Sequence, residues 1–93
     1  MQLKKYVIER DLPGVGSMSQ PELCSASSTS NDAINSLFPK VQWQHSYVAA
    51  NKTFCVYLAE NEEAVHQHAE MSGFPATVIT EITGMIDPTT ATT

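Results

Sequence analysis

Residues 41–59 read VQWQHSYVAANKTFCVYLA, and the fold turns on how this stretch is parsed. Two runs rich in β-branched and aromatic side chains, 41–50 and 53–59, flank Asn51-Lys52, the pattern of an antiparallel hairpin. Strict alternation along the first run sets Val41, Trp43, His45, Tyr47 and Ala49 on one face. Which face Cys55 joins depends on the loop. A three-residue loop places it with His45, whereas a two-residue loop turns it away.

Upstream, Ser19 and Glu22 have capping-box spacing and Pro21 is tolerated in a first turn. Leu23, Ala26, Ser30, Ala33, Ile34 and Leu37 then recur at helical spacing, which predicts a helix over 20–37. Its middle, SASSTSN, is poor in helix formers, so tertiary packing must hold it. Before it, LKKYVIERDL reads as a strand over 3–12 closed by Pro13-Gly14. Downstream, Asn61 caps a second helix with Glu62 and Glu63 in the first turn, where the helix dipole favours negative charge. That helix closes at Gly73, before Pro75. A last strand over about 77–86 and a flexible tail at 87–93 complete the chain.

The order β-α-β-β-α-β predicts a single α+β domain, 1–93, of the ferredoxin-like kind. Four antiparallel strands in the order 4-1-3-2 carry two helices on one face. A domain of this size buries only about 65% of its unfolded surface. In a regular register Trp43, Tyr47, Cys55 and Tyr57 do not all fit beneath the helices, so the open face stays partly apolar. A homodimer that covers this face, a two-sheet α+β barrel, is the expectation.

Ten acids face five bases, and beyond Lys52 there are six acids and no Lys or Arg. That half repels phosphate backbones and attracts cations, which argues against nucleic-acid partners. No apolar run is long enough to span a membrane, and MQLKKYVIERD lacks the apolar stretch of a secretory signal, so the reading is soluble and cytoplasmic. Cys24 and Cys55 have neither metal-type nor disulfide-framework spacing and read as reduced, buried thiols.

PGVGSMS, between a strand and a helix, lacks the third glycine of a dinucleotide loop and precedes a hairpin rather than a crossover strand, so no nucleotide cofactor is expected. In EAVHQHAEMSG the two histidines lie two residues apart, about 200° around a helix, and cannot share one metal. His68 shares the apolar stripe of Ala64, Val65 and Ala69; His66 faces out beside Glu62 and Glu70. His45 and His68, directed into one interior from two elements, form a candidate metal pair, with Cys55 as a further donor. Imidazole suits nickel and other divalent transition metals. Glu9-Arg10-Asp11 reads as a solvated strand end, with Glu9 as a metal oxygen or general base if it points into the sheet face. No GxSxG elbow supports Ser-His-Asp chemistry.

The blocks VIERDLPG, WQHSYV, KTFCVY, HAEMSGFPA and MIDPTTA together resemble a family of small bacterial domains of unknown function that includes a nickel-binding member with a ferredoxin-like fold. The resemblance covers about residues 6–91. It implies a dimeric ferredoxin-like domain with nickel binding through histidines, and carries over Glu9-Arg10-Asp11, His45, Ser46, Tyr47, Cys55, Tyr57, His68, Gly73 and Pro75. The polar SSTSN stretch and Gln44 depart from the family pattern. The leading reading is a metal- or small-ligand-binding module with His45 and His68 as ligands. The alternatives are a cofactor-independent α+β barrel enzyme, a monooxygenase or isomerase using His68 as acid or base near Tyr47 and Cys55, and a purely structural dimer.

Overall fold

Tyr6-Val7-Ile8 and the two runs of the hairpin do become strands, and the two helical periods become helices. The computed structural model describes residues 2–92, so Thr93 of the expected tail lies outside the described residues. Strand β1 (Lys4–Asp11) leads through a short 3-10 turn, Val15–Ser17, into helix α1 (Gln20–Leu37). Strands β2 (Val41–Val48) and β3 (Lys52–Ala59), helix α2 (Glu62–Ser72), strand β4 (Val78–Ile82) and a 3-10 segment, Pro88–Thr92, follow. The sheet is antiparallel in the order β2-β3-β1-β4, the expected 4-1-3-2 read from the other edge. The fold is ferredoxin-like α+β.

Local signals fix the helix ends. Ser19 accepts from the Glu22 amide while the Glu22 carboxylate accepts from Ser19 N–H, and Asn61 accepts from the Ala64 amide. Gly73 ends α2 at φ 79°, a left-handed conformation that glycine adopts without steric cost. The serine-rich middle of α1 holds because its stripe is covered: Ser30 and Ala33 are buried and Ile34 and Leu37 pack against the core.

Two strand expectations are corrected. Strand β4 stops at Ile82 rather than near 86, because its partner on β1, Lys5, is next to that strand's first residue. The hairpin loop is Ala49-Ala50-Asn51, since Lys52 already pairs with Asp11 as the first residue of β3. More consequential is a bulge in β2. Trp43 pairs with Tyr57, yet His45 pairs with Val56, so Gln44 is an extra residue and the alternation slips by one.

The slip sorts the side chains. On the helix side lie Tyr6, Ile8 and Arg10 of β1, Val41, Trp43 and Ser46 of β2, and Thr53, Cys55, Tyr57 and Ala59 of β3. Ala64 and Val65 of α2 close the core over Ile8, Val41 and Tyr57. His45 and Tyr47 turn to the helix-free face with Val7, Phe54, Val56, Leu58 and Ile82. Thus Trp43, Tyr47, Cys55 and Tyr57 do not all fit beneath the helices, but only Tyr47 of the four turns away; with half-buried Val7, Phe54, Val56, Leu58 and Ile82 it makes the open face apolar.

The turn after β1 and the hairpin loop are stitched together. Leu12 N–H donates to the Asn51 carbonyl at 2.9 Å, Gly14 N–H to the Asn51 side-chain oxygen at 3.0 Å and Gly16 N–H to the Ala50 carbonyl at 3.0 Å. A Cβ on Gly16 would stand 2.7 Å from the Ala50 Cα, which is why glycine is required there. The PGVGSMS segment is a turn, as its missing third glycine indicates.

Candidate functional site

The expected site residues divide between the two faces of the sheet. His68 and Cys55 are on the helix side; His45, Tyr47 and Glu9 are on the other. A single chain therefore does not bring His45 and His68 to one metal, and among the described residues no three His, Cys, Asp or Glu side chains converge. The bulge at Gln44 is the cause: without it, alternation would have kept His45 with Trp43 above the helix-side floor.

On the helix side, His68 is fully buried. Its Nε2 lies 3.2 Å from Ser30 Oγ, its ring is tilted against Tyr57 at 5.0 Å between centroids, and Nδ1 has no partner among the described residues. An unpaired buried N–H costs more than an unpaired lone pair, so the proton belongs on Nε2 and Ser30 Oγ accepts it. Burial, and secondarily the Arg10 guanidinium, push the imidazole pKa down to about 4, so the ring is neutral at neutral pH. His66, across the same helix, is exposed 4.0 Å from Glu62, as the helical wheel predicts.

Beside His68 stands a group that the sequence reading set among solvated charges. Arg10 is only 2% exposed. Its Nη1 donates to the carbonyls of Pro75 at 2.7 Å and Phe74 at 3.3 Å, and its Nη2 to the Tyr57 hydroxyl at 3.3 Å. The signal was legible: Tyr6, Ile8 and Arg10 share one parity in β1, and the first two are plainly core residues. Burial holds the Tyr57 phenol above its usual pKa, with Arg10 opposing, so it keeps its proton.

His68 and Arg10 lie behind Ser30 and Tyr57, which reach a cavity of about 310 Å³ between α1, the 12–18 turn and the sheet. Its walls are mainly apolar, Leu12, Val15, Leu23 and Trp43 among them, while Ser30, Cys55 and Tyr57 supply the polar floor. Trp43 is fixed by donating Nε1–H to Ser46 Oγ at 2.9 Å. The Cys55 thiol lies 3.5 Å from Thr53 Oγ1; both cysteines are free, and Cys24 is exposed rather than buried.

On the helix-free face, the His45 and Tyr47 rings meet edge to face at 5.1 Å. They border a hollow of about 420 Å³ with Lys5, Val56, Ile82 and the 83–85 segment. Glu9 is paired with Lys52 at 3.5 Å near one end of this face and joins neither histidine. The acid–base arrangement of His68 with Tyr47 is not assembled either, since the sheet separates them.

Residues 6–82 match the family model described as nickel responsive protein SCO4226-like. A crystal structure of SCO4226 from Streptomyces coelicolor A3(2) superposes with a TM-score of 0.74 at 16% identity, over 88% of this chain and 99% of that one, which shows a shared fold. No curated protein matches significantly. The chain belongs to the SCO4226-like family of nickel responsive proteins.

Proposed function

Within that family, we propose that this chain is a small metal-responsive module that holds nickel or a similar divalent cation on its helix-free sheet face, with His45 as a donor and a second copy of the chain completing the site. The observation that carries this reading is the bulge, which turns His45 out to an exposed position on the open face. One imidazole is a weak ligand, and among the described residues no group of three His, Cys, Asp or Glu side chains forms around it. A two-fold pairing of apolar open faces would duplicate every donor and could set two His45 rings on one cation. The same pairing would cover Val7, Phe54, Val56 and Leu58, consistent with a homodimer.

His68 has a different part in this reading. Sealed beneath the helices and bonded to Ser30, it orders the floor of the cavity.

Titration calorimetry with Ni²⁺ on protein lacking a histidine tag tests the proposal. The parent should bind with a stoichiometry of one metal per two chains. His45→Ala should weaken binding at least tenfold, and His66→Ala should leave it unchanged. An equal loss in His68→Asn would put the metal on the helix side instead, and equal losses in all three variants would mean generic surface chelation.

A further inference from the structure

Arg10 carries a full charge in the interior without a carboxylate beside it. The ion pairs of the described residues join Lys52 to Glu9 and Asp11; none includes Arg10. Carbonyl dipoles of Phe74 and Pro75 and one phenol are its partners. An uncompensated interior cation is costly unless a negative charge is brought to it.

Counting protons shows where that charge would sit. Tyr57 Oη accepts from Arg10, so the phenol's own proton is directed elsewhere. Ser30 Oγ accepts from His68 Nε2–H, so its proton is also free to be donated. Both hydroxyls line the cavity, and both residues are at least 95% buried, Tyr57 at 2% and Ser30 at 5% exposure. The two hydroxyls also pair with each other, which uses one of these protons; the other O–H, at the cavity floor and backed by the guanidinium through Tyr57, is left to a ligand. Apart from this floor and the hydroxyls of Ser27, Ser46 and Thr53, the space is walled by apolar side chains. A site with hydroxyl donors, a cation behind them and greasy walls selects an acceptor-bearing anion on an apolar body.

We propose that the cavity between α1, the 12–18 turn and the sheet binds a small amphipathic organic anion, a carboxylate, phenolate or enolate, whose charged head accepts from the paired hydroxyls of Tyr57 and Ser30 and whose apolar body packs on Trp43. Arg10 is a positioning residue: it touches Tyr57 rather than the ligand and orients that hydroxyl as a donor. The site is separate from the metal proposed on the opposite face, so the two stand or fall independently.

Trp43, the chain's one tryptophan, lines the cavity and reports on it. Its emission is followed as 3-phenylpropanoate, or the neutral isostere 3-phenylpropanamide, is added to the tag-free parent at pH 7. The carboxylate should give a saturable change, with the amide at least tenfold weaker. Tyr57→Phe, which keeps the ring and removes the hydroxyl, should weaken carboxylate binding about tenfold and abolish the preference over the amide. Arg10→Lys should reduce that preference, and Glu70→Gln, exposed on α2 away from the cavity, should bind as the parent does. Circular dichroism checks folding, and if Arg10→Lys fails to fold, Tyr57→Phe carries the test. Equal affinity for acid and amide, a Tyr57→Phe protein that binds like the parent, or no saturable Trp43 response up to millimolar probe would each overturn the proposal.

Discussion

The two faces of one sheet differ in almost every respect. The helix side has a closed core at one end and, toward α1 and the 12–18 turn, a cavity whose floor holds a phenol, a hydroxyl and a thiol, with a guanidinium and an imidazole buried behind them. The opposite side has half-buried apolar residues, an exposed tyrosine and an exposed histidine, with no helix among the described residues above them. Adjacent residues of β1 show the contrast in miniature: Ile8 is fully buried, whereas Val7, one residue before it, is half-buried. The lesson is that stability resides on one side and accessible chemistry on both, so substitutions on the two faces should fail in different ways.

The largest effect should come from testing that contrast directly. Ile8→Ala removes a fully buried side chain and should cost about 2–5 kcal/mol in urea unfolding. Val56→Asp on the open face should cost less in fold stability but prevent pairing. Light scattering should then report the single-chain 10.2 kDa, and the parent should give twice that mass. Comparable unfolding penalties and an unchanged mass would erase the distinction.

The next effect sharpens the helix side. Because the His68 pKa is depressed to about 4 from 6.5, the folded protein binds this proton less readily than the unfolded chain. Above about pH 6.5 both states are neutral and stability is flat. As pH falls from 6.5 toward 4 the unfolded chain takes up a proton that the folded one refuses, and stability drops by up to about 1.4 kcal/mol per pH unit, roughly 3 kcal/mol in all. Below about 4 this loss levels off. Exposed Glu22 and Asp87, both depressed by local hydrogen bonds, add their losses lower on the pH scale. Subtracting the curve of His68→Asn isolates the ring; an identical slope in that variant would remove His68 from the account.

The smallest effect lies at the edge of the same side. Ser19→Ala breaks the capping box of α1 and should cost about 1 kcal/mol by thermal unfolding, with no change in mass.

What the sequence disclosed follows from how local each signal is. Caps, helical stripes and the glycine at the end of α2 act within a turn or two, and each appears where its residues stand. The strand order followed from the succession of those elements. The split of the candidate site did not, because it depends on a single extra residue: Gln44 has no special side chain, and a period of two gives no notice of where it will slip. Arg10 was missed for another reason. Flanked by Glu9 and Asp11, it was read by its neighbours rather than by its parity, although an alternating strand sends those neighbours to the opposite face.

The stitched loops bear on how the cavity is entered. The turn at 12–16 and the loop at 49–51 form one lip whose clearance is set by an atom that Gly16 does not have, rather than by any side chain. Such a lip moves as one piece: neither loop can swing without breaking backbone bonds to the other, so a shift of the 12–16 turn, whose Leu12, Pro13 and Val15 line the cavity, carries the hairpin loop with it.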